Sequence, residues 1–94
     1  MGYTISEFSN VLHGNFSAQE SVYNCKDLSQ CSWLISHEQG NLQTEISVEE
    51  KPSRKLGLLN LPVLAVTFKL ISGERQDEQQ FFEKFFRYFH KGGG

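Results

Sequence analysis

The chain is poor in the residues that announce chemistry. It holds two cysteines in 94 residues, too few for a disulfide framework. There is no apolar run of 18 residues, and hence no predicted membrane-spanning helix. Nine basic residues stand against eleven acidic ones, a net charge of −2. The basic excess that a nucleic acid or an anionic membrane selects is therefore missing, and neither is expected as a partner. The glycines stand at turns and at the C-terminus rather than in a phosphate cradle, and no serine sits in a nucleophile elbow. Met1 to Ser6 lacks the charged and apolar regions of a secretory signal, so the expected compartment is the reducing cytoplasm. Two short patterns, the acylation form Met1-Gly2-x-x-x-Ser6 and the sequon Asn15-Phe16-Ser17, carry no weight in that setting. The length suits one domain, residues 1–94, with Gly92, Gly93 and Gly94 as a flexible tail.

Aromatic rings are what the chain does have. Five of its eight phenylalanines lie in one short run: Phe81, Phe82, Phe85, Phe86 and Phe89. At about 100° per residue they share an arc of roughly 140°, with Glu83, Lys84, Arg87 and Lys91 outside it. The spacing predicts an amphipathic helix over about 77–91. Asp77 with Gln80 would form its capping box. Acidic residues cluster at its start and basic ones at its end, as the helix dipole favours, and Gly92 would stop it.

The first half carries a weak repeat. Gly14-Asn15-Phe16-Ser17-Ala18-Gln19-Glu20-Ser21-Val22 aligns on Gly40-Asn41-Leu42-Gln43-Thr44-Glu45-Ile46-Ser47-Val48. Each copy opens on a Gly-Asn turn signal. The second copy places a hairpin over 31–48: Cys31, Trp33, Ile35 and His37 would face Val48, Ile46, Thr44 and Leu42 on one apolar side. A slip of one residue destroys that agreement. The first copy places a hairpin over about 3–24. A competing pattern there is the box Thr4-Ile5-Ser6-Glu7 with a helical face of Ile5, Phe8, Val11 and Leu12. Residues 49–55 read as a polar loop broken by Pro52, and 56–62 as a covered turn or short edge segment. Residues 63–71 read as a strand, apolar enough to be central or covered on both faces. The expected architecture is α+β: an antiparallel sheet of four to five strands with the C-terminal helix packed on one face.

Functional candidates are sparse. Cys25, Cys31 and His37, with His13 more distant, are the conceivable metal ligands, but their spacing is wider than the knuckles of structural zinc sites, so no metal and no cofactor are expected. Lys51, Arg54 and Lys55, followed by Leu58 and Leu59, form the irregular segment where a ligand would bind. The Gly-rich tail resembles the termini of ubiquitin-like carriers, but here it follows a helix, for which glycine is the ordinary stop. With no catalytic constellation and a surplus of aromatic surface, the expectation is a small non-enzymatic protein-interaction module acting as a homodimer. The alternative is a binder of an apolar small molecule between the Phe-rich helix and the sheet.

Overall fold

A computed structural model describes residues 2–17, 22–57 and 59–89, with backbone alone at 54, 56 and 59–62. The elements in chain order are α1 (Ile5–Phe16), β1 (Tyr23–Ser29), β2 (Ser32–His37), β3 (Gln43–Leu56), β4 (Leu59–Ser72) and α2 (Arg75–Tyr88). The four strands form one antiparallel meander in the order β1-β2-β3-β4. The fold is α+β with the C-terminal helix on one sheet face, as the periodicity predicts, and α1 is an added helix on that same face.

Residues 5–16 are helical, and the expected hairpin over 3–24 does not form. The reason is local. The Thr4 hydroxyl accepts the Glu7 N–H at 3.1 Å, and the Glu7 carboxylate accepts the Thr4 N–H at 3.0 Å, so two free helix donors are satisfied at once. Phe8, Leu12 and Phe16 then recur at helical spacing and are wholly buried, which an alternating strand could not achieve. Gly14 and Asn15 lie inside the helix, where the Asn15 side-chain amide donates to the Val11 carbonyl at 2.9 Å. The rest of that repeat copy, residues 18–21, lies outside the described residues.

The hairpin over 31–48 forms in the expected register. Trp33 lies opposite Ile46 and Ile35 opposite Thr44. His37 donates its N–H to the Leu42 carbonyl, and Val48 donates to that of Cys31. Residues 49–55, expected as a loop, instead continue β3, and β4 returns beside them after a turn at Gly57, whose φ is +64°. Pro52 is tolerated because β2 pairs with β3 only as far as Ser47. Beyond Val48, whose N–H bonds Cys31, no strand among the described residues lies on that side to need the proline's missing N–H, and the register shifts between Lys51 and Arg54 to absorb it. The β3–β4 ribbon therefore outruns the other strands and helps stretch the molecule to 47 Å against 24 Å and 23 Å.

The helix α2 begins two residues earlier than expected. Glu74 is the cap residue, and its N–H donates to Asp77 Oδ2 at 3.1 Å. Asp77 is thus the third helical residue rather than the cap. Described helix ends at Tyr88, with the Phe89 N–H bonded to the Phe85 carbonyl. His90 to Gly94, including the expected Gly92 stop and the glycine tail, lie outside the described residues.

The core is a layer of rings between the helices and the sheet. Phe81, Phe85 and Phe89 point inward and are buried. Phe85 and Phe89 stack at 4.3 Å between centroids. Phe8 of α1 meets Trp33 of the sheet at 5.4 Å and Phe89 at 4.7 Å, while Phe68 of β4 stands edge-on to Phe85 at 4.9 Å. On the other flank of α2 the Lys84 ammonium sits 5.3 Å from the Phe16 ring and 5.6 Å from that of Tyr23, a cation–π contact. Burial, with Arg87 second, lowers the Lys84 pKa. The opposite sheet face, with Ser36, Glu45, Thr67 and Lys69, is half-buried or exposed.

Two outcomes test this packing. Phe85→Ala leaves a cavity at the ring layer and is expected to cost about 3–5 kcal/mol in urea unfolding at fixed protein concentration. A cost below about 1 kcal/mol contradicts a buried Phe85. Thr4→Ala removes the α1 box and is expected to cost about 1 kcal/mol. Hydrogen exchange should then show fraying confined to the first turn of α1; unchanged protection there would mean that the box is idle.

Candidate functional site

The sheet has two outer strands, and they are defended unequally. The edge at β1 carries Lys26 and Asp27 and a register shift after Asp27, the usual devices that discourage a foreign strand. The edge at β4 carries one charge, Lys69, between Val63 and Ile71. A strand expected to be central or doubly covered is thus the outermost one.

The free hydrogen-bonding groups of β4 follow from the ladder. His37 N–H bonds the Leu42 carbonyl and Val48 N–H bonds the Cys31 carbonyl. Even-numbered backbone groups from 42 to 48 therefore face β2, and odd-numbered ones face β4. Lys69 lies opposite Glu45 and so turns toward β3; its carbonyl also accepts the Thr44 hydroxyl at 3.2 Å. By alternation the N–H and C=O groups of Val66, Phe68 and Leu70 point outward. The same alternation aims the nitrogen of Pro62 outward, so this end of the edge lacks a donor.

Apolar side chains border that edge. Leu70 is 41% exposed and Phe86 55%. Phe82 is half-buried, 5.0 Å edge-on from Phe68, and stacks at 6.0 Å on Phe86. Of the five helix phenylalanines, three thus fill the core, while Phe82 and Phe86 lean past β4 toward solvent. Between α2 and the sheet lies a cleft of about 160 Å³, lined by Leu42, Thr44, Phe68, Leu70, Glu78, Phe81 and Phe82. Ligand pockets for drug-sized molecules run from about 300 Å³ upward.

The other candidates do not converge. Cys25 lies opposite Ile35, and His37 opposite Tyr23, on neighbouring strands. Cys31 lies just before the start of β2, six positions from His37 and so roughly 20 Å away along the chain. Among the described residues no group of three or more His, Cys, Asp or Glu could hold a metal ion. His13 instead meets Asp27, Nε2 to Oδ1, at 2.8 Å. Lys51 and Lys55 stand exposed on the β3 extension, with Lys51 3.3 Å from Glu49, a surface pair of small energetic consequence. The side chains of Arg54 and Leu59, and Leu58 altogether, lie outside the described residues. No helix among the described residues is long and apolar enough to cross a membrane.

Compared with protein-family models, with curated proteins and with solved structures, the chain finds no match in any of the three.

Burial, with Asp27 second, pushes the Cys25 thiol up from 9.0 to about 12. Its stabilising contribution is complete below pH 9 and is lost as pH rises from about 9 to about 12. In a Cys31→Ser chain, iodoacetamide should label Cys25 at pH 9 about a hundred-fold more slowly in the native protein than in concentrated urea, because the thiolate is the nucleophile. Equal rates in the two states would refute the protection.

Proposed function

We propose that this chain is a small non-enzymatic protein-interaction module that works by associating with a second copy of itself. The observation that carries this reading is the β4 edge over Val66–Leu70, which pairs with no strand among the described residues and is bordered by Leu70, Phe82 and Phe86. A ladder of outward amides beside stacked, wetted rings is a liability in a chain that stays alone, and aromatic side chains concentrate in the cores of interfaces. A self-complementary patch of this kind favours a closed two-fold pair, the commonest oligomer of soluble proteins. The small size adds a motive, since association adds burial that a thin core lacks.

Light scattering on the purified chain should give a mass near twice 10.8 kDa. Phe86→Glu should return it to the single-chain mass with its circular dichroism intact, because Phe86 contributes little to the ring layer. A wild-type mass that stays at 10.8 kDa across a wide concentration range would end the reading.

A further inference from the structure

We infer that the two copies join their sheets through antiparallel pairing of β4 with its twin over Val66–Leu70, with the two-fold axis at Phe68. This rests on the self-association reading and adds to it the surface, the direction and the register. The ladder itself selects the register. By alternation Leu64, Val66, Phe68 and Leu70 face outward; Leu64 already has a partner within the chain, which leaves Val66, Phe68 and Leu70. The usable edge is closed on one side at Leu64, which is already engaged, and beyond it by Pro62, whose nitrogen has no hydrogen to give. On the other side it is closed by the shift between the pairs Gln43–Ser72 and Thr44–Leu70, which leaves Ile71 as a bulge and turns Ser72 inward. An antiparallel pair centred on Phe68 matches Val66 with Leu70 of the twin and Phe68 with itself, so all three residues bond twice over.

Side-chain chemistry agrees with that register. Even-numbered side chains of β4 face the helices, so the exposed Leu70 is covered by the twin's Val66. The two Phe68 rings meet beneath Phe82 and Phe86 of both copies. Centring one residue later, on Lys69, would set two lysines directly opposite each other, which is destabilising. The same two-fold runs the two α2 helices antiparallel. Glu74, Asp77 and Glu78 at the start of one helix then lie toward Arg87 near the end of the other, and the dipoles oppose. The complement of this edge is therefore the edge itself, and the occupant is a second copy of the chain.

Cysteine pairs read the register directly. In a Cys25→Ser, Cys31→Ser background checked by circular dichroism, Thr67→Cys and Lys69→Cys chains are mixed and oxidised. Residue 67 should lie opposite residue 69 of the twin in a non-hydrogen-bonded pair, the closer kind. Disulfide-linked dimer should therefore approach about half of the mixed chains, the statistical share of mixed pairs. Either chain alone should link several-fold less, because its own cysteines are displaced beyond disulfide reach. Strong linking by Thr67→Cys alone would mean an axis at 67 and overturn this register while leaving the dimer. A dimeric mass with no linking in any combination would overturn edge pairing but not self-association. A monomeric mass would overturn both and leave the edge to a strand of some other protein.

Discussion

The structure depends on one requirement: a four-stranded sheet that wets one face must keep the other dry. The inner face carries Trp33, Ile35, Ile46 and Leu64, all buried, and one helix is too narrow to roof it. Two helices share the task. Phe8, Leu12 and Phe16 of α1 lie alongside Phe81, Phe85 and Phe89 of α2, and all are buried. Rings fill this layer because each brings a large apolar area with little rotamer freedom to lose, and tilted or edge-on pairs add to the burial. Removing either helix would leave the other with an unroofed half-sheet.

That roof stops short at β4. The helix α2 crosses the sheet so that Phe81, Phe85 and Phe89 drop inward, which leaves the arc occupied by Phe82 and Phe86 hanging over the outermost strand. The aromatic arc is wider than one sheet can use. The same chain leaves β4 a single charge, Lys69, over Val63–Ile71, while the shorter β1 carries Lys26 and Asp27 beside its bulge. Surplus rings and an undefended ladder therefore fall on one side of the molecule. The β3–β4 ribbon, which extends beyond β2, places its irregularity at Pro52 and its donor gap at Pro62, so the inviting stretch is confined to the strand beside the rings.

Some of this was legible in the sequence. Side-chain parity located the 31–48 hairpin and its register, since Trp33, Ile35, Ile46 and Val48 share a side in one alignment only. The phenylalanine spacing located α2. The α1 helix was also legible in Thr4 and Glu7, yet the Gly-Asn repeat pointed to a hairpin. Capping hydrogen bonds form within one turn, whereas a hairpin must first close a loop, so the local signal prevailed. Pro52 suggested a break, which holds only for a strand with neighbours on both sides. The apolar run 63–71 suggested a central strand, because composition cannot tell a strand covered by its own sheet from one awaiting a cover.

The sequence by itself determined which side chains share a face: the periods of 2 and 3.6 follow from backbone geometry and need no partner. Which of those faces became interior, which strand became the edge, and which of five phenylalanines met water, Phe86 mostly and Phe82 in part, were decided only by the tertiary structure. Those outcomes depend on where the ends of α1 and α2 come to rest across the sheet, a relation among residues far apart in the chain that no local periodicity encodes.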